Sequence, residues 1–129
     1  MKQIRNIFSV LLLGISLMMV SVPSFSADLQ KGLGAYYRGD YQAALREWRP
    51  LAEQGNADAQ GNLGAMYAFG KGVLKDYVYA HMWANIAVSI GGEEKGKVRD
   101  FVEKKMTPSQ LETAQNLARE CVRKKYKGC

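Results

Sequence analysis

Histidine and cysteine are scarce in this chain of 129 residues, which has one histidine, His81, and two cysteines, Cys121 and Cys129. A zinc site needs more ligands than these, so no metal site is predicted. A chain this short also buries too little surface to enclose a deep cofactor cavity, and no cofactor is predicted. No good nucleophile accompanies His81 in the sequence, and we expect it to be a partly exposed surface residue rather than a general base. The sequence therefore predicts that the protein is not an enzyme.

Long hydrophobic runs are also lacking. The longest, residues 7–22, has 16 residues and falls short of the roughly 20 that a spanning helix needs. It follows a basic amino end and precedes the small-residue stretch 24–27, an order typical of a secretory signal. We predict that residues 1–27 are a signal peptide, cleaved after Ser26 or Ala27. The predicted location is the periplasm of a Gram-negative bacterium, and secretion from the cell is the alternative.

Positive charge exceeds negative charge by six, but the excess is confined to the two ends of the chain. Lys2 and Arg5 lie before the apolar run, and residues 119–127 hold five basic side chains against one acid, Glu120. The body between them is close to neutral, which argues against nucleic acid as a partner. The basic tail is an alternative contact for anionic lipid or for an acidic protein.

Both cysteines lie near the carboxyl end of the chain. In an oxidising compartment, an isolated pair this close in sequence is expected to be bridged. We therefore predict a disulfide between Cys121 and Cys129 that ties the last residue to the final helix.

A short pattern occurs twice in the chain. Residues 32–37 (GLGAYY) align with residues 62–67 (NLGAMY) at an offset of 30. Further along, the Asp-Tyr pair at 40–41 aligns with that at 76–77 at an offset of 36, because the second copy inserts a glycine loop at 70–73. Within each copy, apolar residues recur at three- and four-residue steps, which predicts two amphipathic helices per unit.

The sequence also predicts where helices begin and where one is interrupted. Asp76 and Thr107 are placed as N-caps of later helices. Pro50 is expected to kink or split the helix over residues 41–54. The chain after Gly92 does not repeat the pattern and is predicted to form two closing helices, roughly 95–105 and 108–124.

The helical spacing also predicts which residues face inward. In the two repeats these are Leu33, Tyr37, Leu45, Trp48, Leu51, Ala52, Ala59, Leu63, Met66, Tyr67, Ala80, Trp83, Ala84 and Ala87. In the closing helices the apolar stripes are Val98, Phe101, Val102, Leu111, Ala114, Leu117, Ala118, Cys121 and Val122.

The two copies resemble the Sel1-like repeat (SLR) family, which is related to the tetratricopeptide repeats. The similarity covers about residues 32–91, and residues 46–55 look like the opening repeat of family members. It implies a right-handed stack of antiparallel helix pairs that holds other proteins. We expect residues 28–129 to form an all-α domain, a short α-solenoid of two Sel1-like repeats closed by two carboxyl-terminal helices. The residues that carry the resemblance are Ala59-Gln60, Leu63-Gly64, Met66-Tyr67, Gly70, Gly72-Val73, Asp76-Tyr77, Ala80, Trp83, Ala87 and Gly91.

Positions that the repeat leaves free of packing are the candidate partner-binding residues. Phe69 and Tyr79 are the strongest candidates, because exposed aromatic side chains are common anchors of interfaces. Two alternatives stay open: Phe69 could tuck under the glycine loop, and Tyr79 could pack on the closing helices. The full set of candidates is Arg38, Phe69, Tyr79, His81 and Asn85.

The resemblance favours an exported protein–protein interaction module, an adaptor or scaffold in the bacterial cell envelope. One alternative is an immunity protein that neutralises a toxin. Another is an envelope enzyme of beta-lactam or peptidoglycan chemistry, with carboxylate pairs at Glu93-Glu94 or at Asp100 and Glu103. We expect these carboxylates to be solvated surface groups instead.

Overall fold

The computed structural model describes residues 27–129. The predicted signal peptide and the bond after Ser26 lie outside the described residues, apart from Ala27. The described chain contains six α-helices and a single-turn 3₁₀ helix, and residues 27–129 include no strand. The α-helices are α1 (Leu29–Tyr37), α2 (Tyr41–Glu53), α3 (Ala57–Phe69), α4 (Tyr77–Gly91), α5 (Lys97–Glu103) and α6 (Pro108–Arg123), with the 3₁₀ helix at Glu93–Lys95. The predicted all-α class is confirmed, and the two closing helices lie where they were predicted.

Side-chain caps begin five of the six α-helices. Asp28, Asp40, Asn56, Asp76 and Thr107 each accept a hydrogen bond from a backbone amide in the first turn of the helix that follows. Such caps satisfy amide groups that have no partner within the helix. The predicted caps at Asp76 and Thr107 are therefore confirmed.

The first four helices form two stacked hairpins, α1 with α2 and α3 with α4, and α2 packs against α3. Helices α3 and α4 approach each other closely at Gly64. A Cβ atom on Gly64 would lie 3.1 Å from the Ala80 carbonyl oxygen and 3.2 Å from the Ala84 amide nitrogen. The small residue thus lets the two helix backbones approach, and large side chains such as Trp83 fill the space beside them.

The closing helices cover α4 from two directions. Helix α5 packs on α4 and on α3 above a small apolar cluster of Ala68, Ala80 and Val102. Helix α6 packs against α4, with Ala118 and Cys121 in the main core. Together they bury surface of α4 that two repeats alone would leave open.

The carboxyl end folds back over the stack. The predicted disulfide between Cys121 and Cys129 is present, with the two Cα atoms 5.6 Å apart. The Tyr126 ring lies so close to Gly55 that a Cβ atom there would be 3.3 Å from it. The tail is therefore anchored both to α6 and to the turn between α2 and α3.

Two expectations about the first repeat need correction. Helix α2 runs unbroken from Tyr41 to Glu53 with Pro50 inside it, so the split allowed by the sequence does not occur, and the buried residues Trp48 and Ala52 lie on either side of the proline. Tyr37, expected in the core, is 79% exposed. Its neighbour Tyr36 takes that place, with its ring 5.8 Å from that of Trp48.

Candidate binding surfaces

The expected exposure of His81 is wrong. Its side chain is 1% exposed, and Nε2 lies 2.8 Å from Oε1 of Glu103. Helix α5 folds over this face of α4 and brings the carboxylate to the ring, so Glu103 is not an ordinary surface carboxylate either. The imidazole supports the fold and does not reach a partner from this position.

Tyr79 also contributes to packing. Its ring stacks on that of Tyr67 with centroids 5.4 Å apart, and it lies beside Leu117 and Cys121 of α6. Of the two outcomes left open by the sequence, the structure has the packed one. Its side chain is half-buried and holds α3, α4 and α6 together.

Arg38 and Phe69 remain on the surface. Arg38 follows the last residue of α1 and is exposed. Phe69 is 53% exposed and is not buried under the glycine loop; its ring lies 5.4 Å from that of Phe101. Phe101 and Val122, expected in the apolar stripes of the closing helices, are also exposed, because α5 and α6 each turn only part of their apolar surface toward α4.

Asn85 lines a groove between α4 and α6, here called the α4/α6 groove. Its volume is about 940 Å³, within the range of roughly 300 to 1,000 Å³ that is usual for ligand sites. Its floor is apolar and its walls are polar. The floor includes Ile86, Ala118 and Val122, and the walls include Asn85, Ser89, Gln115, Asn116, Arg119 and Arg123.

The walls of the α4/α6 groove offer both hydrogen-bond donors and acceptors. The amides of Asn85, Gln115 and Asn116 can each donate and accept, as a peptide backbone does. The two arginines donate in a fixed fork that suits a carboxylate. Arg119 is held by Asn116 and Arg123 by Glu120, so both guanidinium groups are already oriented along α6.

The α6 half of this groove was missed by sequence reasoning. Its polar residues look like an ordinary solvated helix face, and periodicity does not indicate which neighbour that helix crosses.

Three of the carboxylates considered for a hydrolase are already engaged by basic side chains. Glu93 and Asp100 both pair with Arg99, at 2.7 and 3.0 Å, whereas Glu103 contacts His81. The hydrogen bond to Glu93 raises the pKa of Arg99 above its ordinary value. No group of three or more metal-ligating side chains occurs within residues 27–129.

One carboxylate, Glu47, is almost fully buried. It accepts a hydrogen bond from the Asp28 amide at 2.9 Å and lies 3.2 Å from the Lys31 ammonium. These contacts hold α1 against α2, so the Glu47 carboxylate has a structural role.

Among the helices of the described chain, none has the length and apolar character needed to cross a bilayer.

The chain is similar to one solved structure, that of c5321, described as a protective antigen present in uropathogenic Escherichia coli strains displaying an SLR fold. The two are 31% identical with a TM-score of 0.66, over 76% of this chain and 23% of c5321. This chain thus spans less than a quarter of the length of that relative. No protein-family model matches the sequence, and no curated protein is similar to it. The SLR fold generally mediates protein–protein interaction and is typically non-enzymatic. With its helix pairs and its similarity to an SLR structure, this chain has the Sel1-like repeat fold, and the resemblance to the Sel1-like repeat family is confirmed at the level of the fold.

Proposed function

We propose that this protein is exported and binds an extended segment of a protein partner in the α4/α6 groove, as an adaptor or scaffold in the bacterial cell envelope. The observation that carries this proposal is the groove itself, with an apolar floor between two polar walls. Asn85, one of the residues proposed for partner binding from the sequence, lies in its α4 wall.

The chemistry of the walls favours a peptide as the occupant. An extended backbone has unpaired amide and carbonyl groups that side-chain amides can satisfy on both sides of a groove. Val122, which is 46% exposed, offers apolar contact for a side chain of that segment. Arg119 favours a segment that carries a carboxylate, whereas Arg123 is already paired with Glu120.

Export is supported by the disulfide between Cys121 and Cys129. Such bridges persist in oxidising compartments and are rare in the cytosol. The signal-like order of charge, apolar run and small residues at the amino end points the same way.

A matched pair of variants tests the groove. Val122 lines it and is 46% exposed, whereas Ile90, 44% exposed, is not among its lining residues. A photo-reactive residue at Gln115 should cross-link one protein in living cells. Val122→Glu should abolish that cross-link, because it places a charge on the apolar floor, and Ile90→Glu should leave it unchanged. Equal cross-linking by both variants would contradict the proposed site.

Mass spectrometry of the cross-linked protein then distinguishes an adaptor from an immunity protein, which would capture a toxin.

Export is tested separately by cell fractionation and by the mass of the mature chain. We expect a periplasmic product that begins at Ala27 or Asp28 and has no free thiol. A full-length cytoplasmic product with two free thiols would exclude export.

A further inference from the structure

Three exposed apolar side chains lie at the end of the molecule formed by the end of α3, the loop 70–76 and the end of α5. Leu74 is 90% exposed, Phe69 53% and Phe101 38%. The rings of Phe69 and Phe101 are 5.4 Å apart. Single exposed apolar residues need no explanation, but an exposed aromatic pair in contact, together with a protruding leucine in the loop that follows Phe69, is typical of an interaction surface. Phe69, Leu74, Phe101, Lys75 and Lys105 are here called the aromatic end.

The exposure of Leu74 is built into the loop. The Lys71 amide donates to the Met66 carbonyl and the Asp76 amide to the Tyr67 carbonyl, both at 2.9 Å. From the other side, Gln42 Nε2 donates to the Gly72 carbonyl at 3.0 Å. These bonds hold both ends of the loop.

Within the loop, adjacent apolar residues have opposite environments. Val73 packs against the main core, whereas Leu74 faces solvent. Since hydrogen bonds fix the loop, the backbone that presents the leucine loses little further conformational freedom when it binds.

Lysines border these apolar groups. The Lys75 ammonium lies 5.0 Å from the centre of the Tyr77 ring, and that of Lys105 lies 5.2 Å from the centre of the Phe101 ring. Such contacts lay the apolar stem of lysine along the ring while its charge stays in water. Lys104 is also exposed, three residues after Phe101.

Asp76, beside Lys75, accepts the capping hydrogen bond of α4, and Asp100, beside Phe101, is paired with Arg99. Glu103 is hydrogen-bonded to the buried His81, which draws its carboxylate toward α4. Position 103 also lies two residues from Phe101, so it does not share that helix face. The aromatic end therefore presents apolar and positively charged groups together.

We propose that the aromatic end docks on the surface of an anionic phospholipid bilayer. Leu74 and Phe69 enter the headgroup region, and Lys75 and Lys105 contact lipid phosphates. A protruding side chain suits a bilayer, which accepts it without a preformed pocket, and interfacial binding draws on both buried apolar surface and attraction to anionic lipid. This surface differs from the α4/α6 groove, so the two proposals stand or fall separately.

Vesicle sedimentation with the purified, disulfide-bonded protein tests this docking. We expect binding to vesicles of equal parts phosphatidylglycerol and phosphatidylcholine at low salt, and little binding to phosphatidylcholine alone. Leu74→Ser should weaken binding about ten-fold, and Lys105→Gln about five-fold. Both side chains are exposed, so thermal melts should match the wild type.

The basic tail supplies the matched control. A variant with Lys124→Gln and Lys127→Gln removes as much charge as two lysines of the aromatic end, and its binding should be unchanged. Three results would overturn the proposal: loss of binding in the tail variant alone, full vesicle binding by Leu74→Ser, or displacement of the protein by millimolar inorganic phosphate. A cross-link from position 74 to a protein, without vesicle binding, would assign the surface to a protein partner instead.

Discussion

His81 in α4 and Glu103 in α5 are joined by a hydrogen bond between Nε2 and Oε1. The imidazole is buried and the carboxylate is partly exposed. Within residues 27–129, the other ring nitrogen, Nδ1, has no hydrogen-bond partner. Glu103 thus compensates for much of the cost of burying the ring, and it fixes the position of α5 on α4.

Replacing Glu103 by alanine should lower the free energy of unfolding by about 1 to 3 kcal/mol, because it leaves a buried ring nitrogen unpaired. Glu103→Gln keeps an acceptor oxygen and should cost much less. Urea unfolding near neutral pH measures both, with Lys104→Ala as the exposed neighbouring control. Equal stability of Glu103→Ala and the wild type would show that the bond contributes nothing.

Two glycines in α3 should respond in opposite directions to alanine. A Cβ atom on Gly64 would meet the Ala80 carbonyl and the backbone of Ala84 at 3.1 to 3.2 Å, whereas on Gly61 it would meet only the Ala87 side chain at 3.9 Å. We expect Gly64→Ala to destabilise by about 1 to 3 kcal/mol through overpacking. Gly61→Ala should stabilise by about 0.5 to 1 kcal/mol through helix propensity. Calorimetric melts of the two proteins would reveal the contrast, and a stabilised Gly64→Ala protein would refute the close helix approach.

Trp83→Ala should unfold much of the population. Trp83 is buried in the main core, and truncation of such a residue costs about 3 to 5 kcal/mol. This cost is comparable with the total stability of a small domain.

Two other aromatic residues serve as comparisons for Trp83→Ala. Tyr37→Ala, which truncates an exposed ring, should change the free energy of unfolding by less than about 0.5 kcal/mol. Tyr79→Ala should also destabilise the protein, because the Tyr79 ring stacks on that of Tyr67. Far-ultraviolet circular dichroism at increasing temperature distinguishes the three, and a well-folded Trp83→Ala protein would disprove the core assignment.

Opening the disulfide should loosen the tail before the rest of the fold. Closing a loop of this length contributes about 2 to 3 kcal/mol in the chain-entropy account. Cys129→Ser should therefore lower the urea midpoint and should expose the bonds after Lys124 and Lys125 to trypsin. Tyr126→Ala with the disulfide intact serves as the comparison, because it removes the packing of the ring on Gly55 and on the main core and keeps the bond. Unchanged cleavage in Cys129→Ser would mean that the tail is held without the bond.

Lys95 links the 3₁₀ helix to α3 and should give a pH-dependent contribution to stability. A hydrogen bond to Asp58 and the charge of that carboxylate raise the pKa of Lys95 above its ordinary value of 10.5. A pKa raised by folding stabilises the protein below the unfolded value and loses this effect as pH rises through the folded one. The difference in urea midpoint between the wild type and Lys95→Met should stay constant from neutral pH to about pH 9. It should shrink as the pH rises above 10.5, the ordinary pKa of a lysine. A difference in urea midpoint that grows as the pH becomes alkaline would contradict a stabilising ion pair between Lys95 and Asp58.

Local signals predicted the helices well. The capping residues Asp76 and Thr107 and the turn at Gly92 act within a few residues of chain, so their effect can be read without knowing the tertiary fold. The repeat alignment likewise indicated which faces of α3 and α4 meet, since Gly64 and Ala80 are small where the backbones approach.

The burial of His81 could not be read from periodicity alone, because it depends on where α5 folds. A signal was nonetheless present: its neighbours Ala80, Met82, Trp83 and Ala84 are all apolar or small. A helix that is apolar on nearly every side is buried on nearly every side. The α4/α6 groove had no such signal, since it is created by the packing of two helices that are distant in sequence.

Gln60 ties the two hairpins together through one directional contact. Its side chain is fully buried in α3, and Nε2 donates to the Ala52 carbonyl of α2 at 3.0 Å. A hydrogen bond of this kind depends on distance and angle, whereas apolar packing is not directional. The amide therefore adds to the core a constraint on how α3 sits on α2, and so on where the second hairpin presents its surfaces.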